Sequence, residues 1–381
     1  MAAPPRRKIA HLATIDYSLR HLLLAQIEGS LAEGDEVIGI SAAGPDVPFL
    51  EAHGLRFVAL EGSTRSMSLR GDLRAARSLW RILRSERPDV LHTHNPKPGI
   101  YGRILGRLAG VPRVVHTTHG LYASPDDPWP KRALVYALES VASRFSHVEL
   151  VQNPEDLELM RRWRIAPRKK LRFLGNGVDL ERFRVPSEAD RRERRAELGL
   201  ADDDVVIGTV ARLVAEKGIP ELIEAAQLVG PPARLLLIGP ADPEKADAVD
   251  PVTLTTAEAD GAVLTGQRDD VERLYAAMDV FCLPSHREGF PRAAMEAAAS
   301  GLPIVATDIR GCRQVVEPDG NGLLAPVRDP EALAGALRTM LDPSKRWSAG
   351  ARSRALAETE FDERIIVRRV LDAYASAPPR A

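Results

Sequence analysis

The sequence predicts an α/β protein made of two doubly wound, Rossmann-like parallel-sheet domains facing a cleft. Three observations carry that prediction. Short apolar runs alternate with amphipathic helical runs from end to end, the pattern of parallel strands joined by helices. The alternation pauses once, around Asn176-Gly-Val-Asp179 and the charged run Glu188–Glu197, and restarts at Val205. The two sides of the pause also differ in charge. Residues 1–180 hold 26 Lys and Arg against 19 Asp and Glu, and residues 181–381 hold 26 against 34. The domains expected are therefore 1–180, 181–360 and a C-terminal helical segment 361–381 that crosses back to the first. The basic half either faces something anionic or reflects a local excess of arginine.

Taken in order, the first half places strands near Lys8–Ala13, Glu36–Ser41, Arg56–Leu60, Asp89–His92, Arg113–His116, His147–Val151 and Leu171–Leu174. Helices are expected at Leu19–Leu31, Asp72–Leu83 and Lys131–Phe145. In the second half the strands are Val205–Val210, Arg234–Ile238, Ala262–Thr265, Val280–Leu283 and Ile304–Ala306. Its helices are Gly218–Val229, Asp270–Ala277 and Pro291–Ser300, followed by a helical tail at Pro330–Met340 and Trp347–Ala375. No repeat of 20–50 residues is apparent, so this is not a solenoid.

Composition excludes several classes. Hydrophobic residues make up 44% of the 381 positions, as in an ordinary globular protein. Two cysteines, Cys282 and Cys312, give no disulfide framework and point to a reducing compartment. The stretch after Met1-Ala-Ala-Pro-Pro-Arg-Arg-Lys8 is too short and broken for a signal peptide. No run approaches the roughly 20 apolar residues of a membrane span. The expected location is cytoplasmic.

The most informative stretch is Glu288-Gly-Phe-Pro-Arg-Ala-Ala-Met-Glu296, ending at Ser300-Gly301. Pro291 suits a first helical position, the alanines that follow favour helix, and Gly301 suits a left-handed stop. The helix N-terminus then opens at the C-terminal end of a strand, where open α/β sheets bind ligands. Glu288 and Glu296 frame it, and carboxylates accept hydrogen bonds from hydroxyl-rich ligands. The alternative is a plain crossover helix with two solvated glutamates. Arg212 and Lys217 flank the loop leaving the strand at Val205–Val210, with Gly218 before the next helix. Two cations converging on a helix N-terminus make a diphosphate site.

Together these stretches, with Gly301-Leu-Pro-Ile-Val-Ala-Thr-Asp308, Gly311 and Gly320-Asn-Gly-Leu-Leu-Ala-Pro326, resemble the retaining glycosyltransferases of family 4, which have the GT-B fold. With Asp89-Val-Leu-His-Thr-His94-Asn-Pro and Val114-Val-His-Thr-Thr-His119-Gly-Leu-Tyr122, the chain resembles members of that family that extend bacterial surface polysaccharides on lipid-linked carriers. The resemblance implies transfer of a sugar from a nucleotide-diphosphate donor, UDP-sugar favoured, to an acceptor hydroxyl with retention. It implies that Arg212 and Lys217 hold the diphosphate, and that Glu288 holds sugar hydroxyls beside Gly289, Phe290 and Pro291. Glu296 would take the ribose, and Arg268 and Val271, in the loop Gly266–Val271, would lie near the base. His119 would contact the donor sugar, making His119, Arg212, Lys217 and Glu288 the catalytic set. A non-catalytic sugar-nucleotide-binding protein, or an epimerase or phosphorylase of the same architecture, is the alternative.

The acceptor side falls to the first half. Its candidates are Asp16, Tyr17 and Ser18 after the first strand, with His94 and Asn95 after Asp89–His92. Many relatives carry a glycine-rich loop where this chain reads Thr14-Ile-Asp-Tyr-Ser-Leu-Arg20, so side chains there replace a close backbone approach. His92 and His94 have H-x-H spacing, but no carboxylate cluster accompanies them, and no metal or other cofactor is expected. The lone D-x-D, Asp202-Asp-Asp204, precedes a strand and reads as solvated. Leu73, Ala76, Trp80 and Leu83 form the expected packed stripe of the helix Asp72–Leu83, with Arg74, Arg77, Arg81 and Arg84 beside it. Contact of that helix with an anionic membrane is the competing reading. No nucleic-acid partner is expected.

Overall fold

The computed structural model describes residues 6–375 except 65–68, 124, 126, 244 and 246. Residues 1–5 of the N-terminal stretch read above lie outside them. The chain divides into two units, residues 1–175 with 364–381, and residues 176–363.

The first unit has strands β1 (Lys8–Ile15), β2 (Glu36–Ala42), β3 (Arg56–Ala59), β4 (Val90–Thr93), β5 (Arg113–Thr118), β6 (Val148–Val151) and β7 (Leu171–Phe173). Its helices are α1 (Asp16–Ala32), α2 (Val47–Ala52), α3 (Leu69–Glu86), α4 (Pro96–Leu108), α5 (Trp129–Ser143) and α6 (Pro154–Arg162). The sheet order is β3-β2-β1-β4-β5-β6-β7, with every pair parallel. Strand order reverses direction between β1 and β4, which makes their C-terminal ends the topological switch point. Helices cover both faces, so β4, β5 and β6 are buried along their whole length. Helix α4 reaches the sheet through glycines: a Cβ at Gly102 would lie 2.5 Å from Leu12 Cδ2, and one at Gly106 would lie 2.5 Å from Leu91 Cδ2.

The second unit has strands β8 (Val205–Val210), β9 (Ala233–Ile238), β10 (Val263–Leu264), β11 (Val280–Leu283), β12 (Ile304–Thr307) and β13 (Gly322–Ala325). Its helices are α7 (Glu188–Glu197), α8 (Ile219–Val229), α9 (Pro251–Ala259), α10 (Val271–Leu274), α11 (Arg292–Ala299), α12 (Pro330–Thr339) and α13 (Pro343–Glu360). The order β10-β9-β8-β11-β12-β13 is again all parallel, with its switch point between β8 and β11. The last helix, α14 (Glu363–Ala375), buries Ile366, Val370, Ala373 and Tyr374 against Ile9, Val90, Val115 and Val148 of the first unit.

Four expectations need correction. The charged run Glu188–Glu197 is not an interruption but helix α7, started by a reciprocal capping box between Ser187 and Asp190. The tail Trp347–Ala375 is two helices, broken at Phe361 and Asp362, where Val178 accepts from Glu363 N–H and donates to Phe361 C=O. Asp270–Ala277 is one α-helical turn continued by a 3₁₀ turn. In α3 the packed face is Ala75, Leu79 and Leu83, while Leu73 and Trp80 are exposed. The aliphatic stripe packs because the neighbouring one is flanked by arginines on both sides and cannot be buried without burying charge.

Candidate active site

At the switch point of the second unit, β8 leads into a 3₁₀ turn, Ala215–Lys217, and then Gly218. Gly218 has φ +68°, and a Cβ there would lie 2.1 Å from the Pro284 carbonyl oxygen. Only glycine lets the Lys217 turn press against the end of β11. The approach brings Lys217 Nζ to 2.7 Å from Glu288 Oε1. The same oxygen accepts from Ser285 Oγ at 2.8 Å, and Thr307 Oγ1 donates to the Ser285 carbonyl at 2.5 Å. Glu288 is backed by Gly311, where a Cβ would lie 2.7 Å from both Glu288 Cβ and its carbonyl oxygen. Side-chain exposure of 22% for Lys217 and 15% for Glu288 leaves the pair partly open to a ligand.

Helix α11 starts at Arg292, one residue later than the expected Pro291, which serves as its N-cap with φ −72° and ψ 112°. Gly301 has φ +77°, as expected of the stop. Glu296 is held from both sides: Tyr275 Oη donates to Oε2 at 3.0 Å and Arg292 Nε to Oε1 at 3.1 Å. Burial and the Glu296 carboxylate push the Tyr275 hydroxyl well above its usual range, so it stays protonated and donating. The Phe290 carbonyl accepts from Asn176 Nδ2 at 3.3 Å, and its ring meets Phe361 edge-on.

Not every sequence candidate joins this cluster. Arg212 points to Asp242, with Nη1 3.3 Å from Oδ2. Arg268 is held by Asp270 and Glu197, contacts that raise its pKa further. Val271 is packed on the core of the unit. Ser285 and Tyr275 were not anticipated. Ser285 lies in the same loop as Glu288 and could have been read from it, whereas no spacing rule links Tyr275 to Glu296.

The first unit's switch point has a different chemistry. His11 on β1 is level with His92 on β4. A line of hydrogen-bonded rings runs from His11 Nδ1 to His94 Nε2 (3.2 Å), from His94 Nδ1 to His119 Nε2 (3.1 Å), and from His119 Nδ1 to Gln152 Oε1 (3.2 Å). With the Gln152 oxygen accepting, each neutral ring in turn carries its proton on Nδ1. The line ends at His11 Nε2, a buried acceptor without a hydrogen-bond partner. His92 is engaged at both nitrogens, by Tyr374 Oη at 2.6 Å and Thr117 Oγ1 at 2.7 Å. Burial lowers the pKa of His11 and His119 to about 4, and that of His92, His94 and His116 well below the usual value. All five rings are therefore neutral at pH 7. His11, His92 and His94 each bring a ring nitrogen within 4.8 Å of the others, a donor set of the type that holds divalent transition ions. An ion there would have to displace Tyr374 or Thr117 from His92.

The remaining acceptor-side candidates line the same edge. No loop separates β1 from α1, so Asp16 opens the helix directly. Asp16 is 4% exposed, and its carboxylate accepts from the backbone N–H groups of Tyr17 and Asp46, at 2.9 and 2.8 Å. That engagement fixes the chain around Gly44, where a Cβ would strike the same carboxylate. Ser18 is buried and Tyr17 is exposed, its ring beside His21. Asn95 caps α4 with φ +64° and ψ 156°, an uncommon conformation outside glycine, and its Oδ1 accepts from Thr14 N–H at 3.2 Å.

Comparison with known proteins accounts for both units. The family model "Glycosyltransferase Family 4" matches residues 23–182, and "Glycosyl transferases group 1" matches residues 190–354. A UDP-Gal:alpha-D-GlcNAc-diphosphoundecaprenol alpha-1,3-galactosyltransferase of Escherichia coli is 33% identical over 286 residues, 73% of each chain. The capsular polysaccharide biosynthesis glycosyltransferase CapM of Staphylococcus aureus is 27% identical over 94% of both chains. Among solved structures, Anabaena Alr3699/HepE in complex with UDP and glucose superposes with a TM-score of 0.83 at 22% identity, covering 97% of this chain and 100% of that one. The two parallel-sheet units are thus those of the GT-B fold, and the chain belongs to the family 4 glycosyltransferases.

Proposed function

We propose that this glycosyltransferase moves a hexosyl or N-acetylhexosaminyl residue from a UDP-sugar to a hydroxyl of a diphospholipid-linked glycan, with retention of anomeric configuration. The observation that carries the reading is the Lys217–Glu288–Ser285 cluster at the β8/β11 switch point, beside the N-terminus of α11. A cation paired with a carboxylate in a half-open site suits a ligand bearing both an anion and hydroxyls. On binding, the donor diphosphate takes Lys217, joined by Arg212 released from Asp242. Glu288 then accepts from sugar hydroxyls instead of Lys217. Glu296, with a lone pair left on each oxygen, accepts from the ribose. Arg268 and Val271 border the base, and Gly289, Phe290 and Pro291 line the sugar.

The chemistry follows from charge. The bond from the anomeric carbon to the diphosphate oxygen breaks, and the bond to the acceptor oxygen forms on the same face. The acceptor proton passes to the departing diphosphate oxygen. Lys217 and Arg212 stabilise the charge that develops on the leaving group, where fixed electrostatic partners contribute most. Acceptor handling is assigned to the first unit, through Tyr17, Ser18, His94, Asn95 and the chain held by Asp16. His119 contributes a neutral surface, since both ring nitrogens are engaged within the unit. UDP is favoured because the Escherichia coli relative is named for UDP-Gal, and the diphospholipid acceptor because that name includes GlcNAc-diphosphoundecaprenol.

The test is an assay of UDP-, GDP- and ADP-sugars against a GlcNAc-diphospholipid acceptor, with the product anomer read by NMR. Acceptor-dependent UDP release with an α-linked product from an α-linked donor is expected. Binding of the donor without release in the presence of acceptor would point to a non-catalytic binding protein, and a β-linked product would overturn retention.

A further inference from the structure

Asn176 stands where the chain enters the second unit, and Phe361 stands two residues before it leaves at Glu363. The entering and leaving segments are paired. Val178 N–H donates to the Phe361 carbonyl at 2.8 Å, and Glu363 N–H donates to the Val178 carbonyl at 3.1 Å. Both segments then grip one residue of the loop that carries Glu288. Asn176 Nδ2 donates to the Phe290 carbonyl at 3.3 Å, across 114 residues of chain, and the Phe361 ring meets the Phe290 ring edge-on with centroids 6.2 Å apart.

The two contacts of the Asn176 amide fix its orientation. Its Oδ1 accepts from Gly177 N–H at 3.0 Å and its Nδ2 meets a carbonyl, so a flipped amide would lose both bonds. The Phe290 contact matters because helix α11 does not hold that peptide. Pro291 is the N-cap and has no N–H to donate, and Met295 N–H donates to the Pro291 carbonyl at 3.3 Å. The Phe290 carbonyl lies one peptide before that bond and takes its donor from Asn176. On the other side of the loop, Gly311 lies against Glu288, where a Cβ would come within 2.7 Å of the Glu288 carbonyl oxygen. Planar peptide groups leave two soft dihedrals per residue. Pinning the Phe290 carbonyl and ring therefore sets the direction of the peptide groups next to Glu288.

We propose that Asn176 is a positioning residue for sugar transfer: by donating to the Phe290 carbonyl it fixes the Glu288–Pro291 backbone against which the donor's sugar lies. It acts through Phe290 and not on the reacting atoms. The inference rests on the sugar-lining role proposed above for Gly289, Phe290 and Pro291. The groups assigned to the nucleotide have holders of their own, Lys217 on Glu288 and Glu296 between Tyr275 and Arg292. Loss of the Asn176 donation is therefore felt by the sugar and not by UDP.

Asn176→Asp separates the two halves of the amide, since a carboxylate still accepts from Gly177 N–H but cannot donate to the Phe290 carbonyl. Transfer kinetics with the UDP-sugar that the wild type uses, beside calorimetric titration of UDP, test the proposal. Asn176→Asp is expected to bind UDP as the wild type does and to lose about ten-fold or more in kcat, the scale of a small misplacement at a reacting group. Asn176→Gln, which restores an amide donor on a longer stem, should recover part of that loss. Asn176→Ala should show the same split and replaces the aspartate variant should that one not fold. A variant lacking the donor that transfers at the wild-type rate, or that loses UDP affinity in the same proportion as kcat, would overturn the proposal and leave the donor reading in place. Wild type that binds no UDP and transfers from no UDP-sugar would overturn the donor reading, and this inference with it.

Discussion

The two sheets of this protein reverse strand order in the same way but fill the resulting crevice with opposite electrostatics. In the second unit the β8/β11 edge holds separable charges, Lys217 on Glu288 and Arg212 on Asp242, all partly exposed. In the first unit the β1/β4 edge holds five imidazoles kept neutral by burial, tied to one another and to Thr93, Thr117, Gln152 and Tyr374. One edge can exchange its internal partners for a charged ligand. The other holds its rings in fixed hydrogen bonds, leaving His11 Nε2 as a buried acceptor without a partner, and offers shape and neutral polar groups in place of exchangeable charge. A shared topology sets where ligands go, and the side chains at the strand ends set what kind.

The sharpest way to break the contrast is to create an unpaired charge behind the first unit's edge. Arg103 donates to both Glu149 and Glu139, and all three are buried. Arg103→Ala leaves two carboxylates without a cation and should lower unfolding free energy by about 3–5 kcal/mol, measured by denaturant titration. A loss under 1 kcal/mol would mean that the region tolerates charge as the second unit does.

Burial of the histidines also makes stability depend on pH. His11, fully buried, has its pKa lowered from the model-peptide value of 6.5 to about 4. Between those values the unfolded chain binds a proton that the folded chain does not, so stability falls as pH drops through this window and is retained above it. Each such histidine contributes a slope of about 1.4 kcal/mol per pH unit. Chemical denaturation at pH 7 and pH 5 should show the loss, and His11→Phe should reduce its slope. An identical slope in the variant would show that His11 is not neutral in the fold.

Much of this was legible in the chain. Central parallel strands buried on both faces are continuous apolar runs, and with the alternation of strands and helices that signal placed twelve of the thirteen strands among the described residues, including the more exposed β3, β7 and β10. The thirteenth, Gly322–Ala325, begins with glycine directly after Gly320-Asn321, a turn signal that masks the start of the strand. Helix α7 was hidden because its residues are almost all charged, although Ser187 and Asp190 carry its start signal. The Glu288 loop and Gly301 were readable because local turn chemistry encodes them. The partners were not: His11 reaches His94 across 83 residues and Tyr275 reaches Glu296 across 21, and only the fold brings such pairs together.

The smallest effect is expected at Arg268. It is held by Asp270 and Glu197 near the surface, and exposed ion pairs contribute about 0–1 kcal/mol. Arg268→Ala should change donor KM less than five-fold by about that measure. A larger change would place the base closer to this loop than its present pairing implies.

In the proposed donor complex Lys217, held in reserve by Glu288, passes to the donor diphosphate. Calorimetric titration of UDP into wild type, Lys217→Met and Glu288→Gln tests it directly. Lys217→Met is expected to weaken UDP by about 1.5–3 kcal/mol, the scale of a charge-assisted contact. Glu288→Gln, which removes the competing carboxylate, should bind UDP at least as tightly as wild type while losing sugar transfer. UDP affinity unchanged in Lys217→Met would contradict that exchange of partners.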